Sequence, residues 1–244
     1  MAGLATTATA AGLVGCGGSG GKTIVVDAAA SLTPTFTTLA RQFEQAHPGV
    51  HVRLNFGGSD TLAAQITQGA PVDVFASAST TTMQTVVAAH DAAGTPQVFV
   101  RNQPELAVPP SNPAHIESLA DSARRGVKLV LCAPTVPCGA AADTVYRLAH
   151  LKPHPVSQEP DVTSVLSKVE LGEADAGVVY VTDVRAAGAK VKAVPIGNAD
   201  QAITSYPIVV TKQASDPTDA RAFIRYVRST TGIHLLRAAG FLPP

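Results

Sequence analysis

Charge is scarce in this 244-residue chain: Asp, Glu, Lys and Arg together make up 15% of it. Eighteen basic side chains balance eighteen acidic ones, so the formal net charge is zero. No run of like charge occurs, and no basic patch is interleaved with aromatics, which argues against nucleic acid as a partner. No apolar stretch approaches the roughly 20 residues of a membrane-spanning helix. Cysteine is limited to Cys16, Cys132 and Cys138, with no histidine close to them in sequence, too few ligands for a zinc site. The seven histidines are scattered, and none falls at a strand end from which it could activate a serine. His150 and His154 bracket Pro153 in what reads as a solvated loop. Gly58-Ser59-Asp60 lacks the second glycine of a nucleophile elbow. Gly21-Lys22-Thr23 lacks the earlier glycine of a phosphate-binding loop, because Cys16 stands there. The four tyrosines form no adjacent pair of the kind an iron site favours. These gaps disfavour an enzyme and a cation carrier.

What the chain does have is apolar bulk. A hydrophobic content of 45% in 244 residues is enough for a substantial core and one large or two smaller domains. The first residues differ from the rest. Met1 to Gly15 carries no charged side chain and runs into Leu13-Val14-Gly15-Cys16, followed by Gly17-Gly18-Ser19-Gly20-Gly21. Leu-Val-Gly-Cys resembles a bacterial lipobox, whose cysteine is lipidated and becomes the mature N-terminus. The Gly/Ser run behind it reads as a flexible tether. The expectation for residues 1–21 is a lipoprotein signal plus tether, although no Lys or Arg precedes the apolar region as in an ordinary signal peptide. With Cys16 lipidated, Cys132 and Cys138 remain as an even pair six residues apart, able to form a disulfide in an exported protein. Spacing alone leaves that bond open.

From Lys22 onward, short β-branched runs alternate with amphipathic patterns. Thr23 to Val26 reads as a buried strand. Leu32, Phe36, Leu39 and Phe43 then recur at helical spacing up to His47-Pro48-Gly49. This places Ser31 at a helix N-cap, where a hydroxyl and free backbone N–H groups suit an anion. The arrangement repeats: Val50, Val52, Leu54 and Phe56 alternate as a strand, and Gly57-Gly58-Ser59-Asp60 turns into a helix bearing Leu62 and Ile66. A third strand over Val72 to Ala76 and a helix with Met83, Val86 and Val87 follow. Strands cross near Arg101–Gln103 into a second region: a strand Val127 to Cys132, a loop Ala133 to Gly139, and a helix Ala140 to Ala149. A polar connection over Lys152 to Pro160 leads to a helix starting after Asp161, a strand Ala176 to Tyr180, and a strand Val191 to Ile196. Gly197 to Ala202 reads as the return crossing, before the strand Tyr206 to Val210 and two closing helices. Alternation at this pace implies a parallel sheet packed between helices in each of two α/β lobes. Ligands of such sheets sit at the carboxyl ends of strands, here marked by Ser31, Ser59, the Cys138 loop and Tyr180.

Several segments carry a resemblance: Ala28-Ala29-Ala30-Ser31-Leu32, Phe56-Gly57-Gly58-Ser59 through Ile66, Gly69-Ala70-Pro71-Val72-Asp73-Val74-Phe75-Ala76-Ser77-Ala78, Pro134 to Gly139, and Ala176 to Asp183. In these the chain resembles the molybdate-binding proteins of bacterial ABC transporters, within the extracellular solute-binding superfamily. The likeness runs from Lys22 to Pro244. It implies a two-lobed periplasmic-binding-protein fold of type II, two Rossmann-like lobes joined by two crossing strands over a ligand cleft. Lobe one would hold residues 22–101 and 203–244, and lobe two residues 102–202. It also implies a molybdate or tungstate oxyanion held by neutral donors: hydroxyl and N–H of Ser31 and Ser59, backbone N–H of Cys138 and Val162, and the phenol of Tyr180. Molybdenum would be present only within the bound oxyanion, with no cofactor. Asp60 departs from a family pattern that usually has serine there, and the expectation is that its carboxylate points away from the ligand. The implied protein is a monomer anchored to the membrane through a lipid on Cys16, exported from the cytoplasm, and serving the membrane subunits of an ABC permease. Sulfate, or a sensor role without transport, is the alternative.

Overall fold

The computed structural model describes residues 21–244, so Cys16 and the expected signal lie outside the described residues. Lobe one opens with β1 (Lys22–Ala29), a 3₁₀ turn (Ala30–Leu32), α1 (Thr33–Ala46), β2 (Val50–Gly57), α2 (Ser59–Thr67), β3 (Val74–Ala76), α3 (Thr80–Ala88) and β4 (Gln97–Asn102). Lobe two runs through β5 (Pro104–Val108), α4 (Leu119–Ser122), β6 (Leu129–Cys132), α5 (Pro137–Leu148), β7 (Ser157–Glu159), α6 (Val162–Glu170), β8 (Ala176–Tyr180), α7 (Val181–Ala187) and β9 (Lys192–Val194). The chain then returns through a 3₁₀ turn (Ala199–Ala202) to β10 (Thr204–Val210), α8 (Pro217–Val227) and α9 (Thr230–Ala238) of lobe one.

The two sheets share one plan. Lobe one orders its strands β2-β1-β3-β10-β4 and lobe two β7-β6-β8-β5-β9. In each, the first three strands are parallel and the last two pairings antiparallel. The expected parallel sheet is therefore the first three strands of each lobe, and the crossing strands complete it antiparallel. The antiparallel strands are the ones that cross, so direction reverses where the chain changes lobe. Single residues, Gln103 and Ile203, separate β4 from β5 and the last turn of lobe two from β10. Asn102, expected at the start of lobe two, pairs with Thr204 inside the lobe-one sheet. The return crossing likewise falls at Ile203, because the turn over Ala199–Ala202 packs into the core of lobe two.

Apolar patterning explains the layers. On α1, Phe36, Leu39, Ala40 and Phe43 are buried against Phe99 and Phe223, with ring centroids 5.9 Å (Phe36–Phe99) and 5.3 Å (Phe43–Phe223) apart. Leu62, Ile66, Phe75, Met83 and Val86 fill the opposite face of that sheet. Buried Asp73, from the Gly-Ala-Pro-Val-Asp block, is a clamp. One carboxylate oxygen accepts the Val25 N–H at 2.6 Å, and the other accepts Ser215 N–H at 2.6 Å and Ser215 O–H at 3.0 Å. It ties β1 to the segment entering α8. Among the described residues no helix is long and apolar enough to cross a membrane.

Candidate functional site

Four helices of nine or more residues begin at the boundary between lobes: α1 and α2 in lobe one, α5 and α6 in lobe two. Each starts just after the carboxyl end of a strand or the turn behind one, so their free N–H groups point into the same space. A small cavity lies there, walled by Ser31, Ser59, Cys138, Asp161, Val162 and Tyr180, with Ala29, Ala30, Gly57, Gly58, Ala78, Val136 and Pro137 completing it. It leaves only about 20 Å³ for the centre of a water-sized body, little more than the ~10–15 Å³ that admits one water. The occupant must be compact. All five residues expected to meet a ligand line this one cavity, brought from both lobes.

Local geometry differs from the sequence expectation at two of them. Ser31 is not an N-cap: it lies inside the 3₁₀ turn, and Leu32 precedes the first residue of α1. Pro34 near the start of α1 fixes where that helix can begin. Cys138 is not in a loop either, since α5 already starts at Pro137 and Cys138 is in its first turn. A proline at the first helical position loses nothing by lacking an N–H. The Cys132–Cys138 disulfide is formed, with Cα atoms 5.7 Å apart, and joins the end of β6 to the head of α5.

Donors dominate the wall, and no Lys or Arg is among the lining residues. Ser59 Oγ accepts the Ala78 backbone N–H at 3.0 Å, which leaves the serine proton free to donate. Ser31 Oγ is 2.8 Å from the Tyr206 hydroxyl. The Tyr180 hydroxyl is buried without a hydrogen-bond partner. Burial pushes that phenol well above its ordinary pKa, so it remains a protonated donor. The one carboxylate on the wall, Asp161, caps α6 by accepting the Ser164 N–H at 2.9 Å. Asp60 does not line the cavity, as expected, yet it caps nothing: its Oδ1 is buried and unpartnered near Gly58. Behind the wall, buried Asp183 accepts the Tyr180 N–H at 2.9 Å. Burial, with a smaller contribution from the Asp161 charge, raises its pKa to about 7.

Other residues of the site had no separate signal in the sequence. Tyr206 reads there as an ordinary strand residue, Asn102 as part of the crossing and Asp183 as part of a segment carrying the resemblance, none of them as a site residue. They matter because the crossings stack them behind Ser31 and Tyr180, with the Tyr180 and Tyr206 rings edge-on at 6.3 Å. Gly58 is another. A Cβ there would lie 2.5 Å from the Pro160 carbonyl oxygen of the opposite lobe, so glycine permits the lobes to meet. Among the described residues no group of three His, Cys, Asp or Glu could hold a metal ion. The arrangement can enclose a small anion with directed hydrogen bonds from two lobes.

Comparison with known proteins agrees with this geometry. Residues 24–242 match the family described as bacterial extracellular solute-binding protein. The chain is 41% identical to the molybdate-binding protein ModA of Mycobacterium tuberculosis, across 99% of this chain and 97% of that one. The substrate-binding domain of a putative molybdenum ABC transporter from Clostridium difficile superposes with a TM-score of 0.67 at 26% identity, covering 91% of this chain and 99% of that domain. The Azotobacter vinelandii periplasmic molybdate-binding protein shares the fold with a TM-score of 0.79 at 21% identity, again over 91% and 99%.

Proposed function

The chain belongs to the bacterial extracellular solute-binding protein family, and we propose that its solute is molybdate or tungstate, which it binds for delivery to the membrane subunits of an ABC importer. The observation that carries this reading is the cavity itself: small, shared by two lobes, free of Lys and Arg, and walled mainly by neutral donors including the unpartnered Tyr180 hydroxyl. Hydroxyls of Ser31, Ser59 and Tyr180 and backbone N–H groups of Ser31, Ser59, Cys138 and Val162 would surround a tetrahedral oxyanion. Each hydrogen bond to a charged group contributes roughly 1.5–3 kcal/mol net. Several of these, with four helix N-termini, support micromolar to nanomolar binding, about −8 to −12 kcal/mol. The wall's one carboxylate, Asp161, is engaged in capping α6, so the neutral donors around it disfavour hydrogen phosphate, whose remaining proton needs an acceptor, whereas molybdate, tungstate and sulfate need none. Cavity size then separates sulfate from the larger pair.

Binding would close the lobes about Gln103 and Ile203. The role is binding rather than catalysis, with no cofactor, and we place the protein outside the cytoplasm, monomeric and held to the membrane by a lipid on Cys16. Calorimetric titration of the soluble domain with molybdate, tungstate, sulfate and phosphate tests the ligand. Tight, mutually competitive binding of the first two is expected. Sulfate binding tightly while molybdate gives no heat would overturn the assignment.

A further inference from the structure

A serine hydroxyl can either give or take a hydrogen bond, and an anion site works only if it gives. For Ser59 the backbone decides, because the Ala78 N–H can only donate to its oxygen. Ser31 has no backbone partner of this kind. Its oxygen meets the Tyr206 hydroxyl, another group that can act either way. The direction of that bond must come from further back.

The Tyr206 hydroxyl is also reached by Asn102 Nδ2, at 3.4 Å, and the same nitrogen donates to Thr182 Oγ1 at 2.8 Å. The Asn102 amide cannot be reversed, since its Oδ1 accepts the Gln103 backbone N–H at 3.0 Å and an N–H can only meet the oxygen. Nδ2 is therefore a donor to Tyr206. With its oxygen receiving, the phenol has its own proton left for Ser31, and Ser31 in turn has its proton left for the cavity. All three side chains are buried, so water does not compete. The backbone holds the geometry at both crossings: Asn102 ends β4, and Tyr206 stands where the β4–β10 register shifts before Pro207. Such an irregularity aims a side chain that a regular strand would point elsewhere.

We propose that Asn102 and Tyr206 are positioning residues that lock Ser31 as a donor, so that the site discriminates between fully deprotonated oxyanions and those that still carry a proton. This rests on the oxyanion reading above and deepens it. Thr182 belongs to lobe two and Asn102 to lobe one, so the donor chain originates where the lobes join. The hydroxyl oxygens of Thr204 and Tyr180, both buried and without a partner beside Tyr206, are the competing acceptors for the phenol proton.

Two measurements test the proposal. In ligand-free wild-type protein, NMR with Tyr ζ-carbon labelling should show a slowly exchanging Tyr206 hydroxyl proton with a cross-peak to the Ser31 β protons. A cross-peak to Thr204 or to Tyr180 in its place overturns the donor direction, whichever anion the protein binds. Second, Tyr206→Phe keeps the ring, packed edge-on to Phe241 at 5.5 Å, but frees Ser31 to turn. Titrated beside the wild type, it should bind molybdate about 5- to 30-fold more weakly, from the loss of one directed hydrogen bond, while hydrogen phosphate loses less or gains. The preference for molybdate over phosphate should thus narrow. An unchanged preference, with both anions weakened equally or not at all, would show that Tyr206 only packs. Wild-type protein that binds no molybdate defeats the ligand assignment instead, and the hydroxyl resonance still decides the donor direction.

Discussion

Replacing Gly58 by alanine tests whether lobe closure makes the site. The backbone there, φ −60° and ψ 130°, is one alanine adopts freely, so no local strain is introduced. The added Cβ meets two neighbours. Asp60 Oδ1, at 2.8 Å, is a side-chain atom that can swing aside, but the Pro160 carbonyl oxygen, at 2.5 Å, is backbone of the other lobe. Relief to an ordinary contact near 3.4 Å requires the lobes to part by roughly 0.9 Å at this rim. Hydrogen bonds of about 2.8 Å from Cys138, Val162 and Tyr180 would then stretch past 3.5 Å, where they are largely lost. Three bonds weakened rather than abolished amount to about 3 kcal/mol, on the order of a 100-fold rise in Kd. Ligand-free stability should move far less than affinity, because the lobes can part at this rim without disturbing the core of either one. Calorimetry for Kd and thermal melting without ligand separate the two effects. A Gly58→Ala protein that binds molybdate within threefold of the wild type would refute the closed-lobe geometry.

Ser31→Ala and Ser59→Ala should each weaken molybdate binding about 10- to 100-fold, one hydrogen bond to a charged group. Unchanged affinity by calorimetry would move the site elsewhere. Tyr180→Phe removes a buried hydroxyl that has no partner in the ligand-free cavity. It should raise the unfolding free energy without ligand by up to about 1–3 kcal/mol of relieved desolvation, seen as a higher melting temperature, while weakening binding. Asp183 gives a pH signature. Its folded pKa, about 7, lies above the usual 3.8, so the native state holds the proton more tightly than the unfolded chain does. The stability this group contributes is complete below about pH 4 and is lost as pH rises through 7, on the order of 4 kcal/mol in all. Denaturant midpoints across that window should fall in the wild type and flatten in Asp183→Asn, whose carbonyl can still accept the Tyr180 N–H.

Local patterning was enough to set the layers. Period-two and helical stripes are local consequences of burial, so the strand at Val50–Phe56 and the helix through Phe36 and Phe43 could be read directly. Strand-end positions likewise pointed to Ser31, Ser59, the Cys138 loop and Tyr180, because ligands of an α/β sheet sit at the carboxyl ends of its strands, whereas Val162 came only from the family resemblance. Local reading failed where a neighbour from far along the chain sets the geometry. The polar edge strand β7 over Ser157–Glu159 has no apolar signature and exists through pairing with β6. The antiparallel half of each sheet follows from the crossings, which no stripe encodes. Only the tertiary structure closed the Cys132–Cys138 bond and turned Asp60 off the cavity wall. It also set Asn102 and Tyr206 behind Ser31, residues 71 and 175 positions further along the chain. A residue's type says that it can donate a hydrogen bond. Which way the proton points depends on partners that only folding brings within hydrogen-bonding distance.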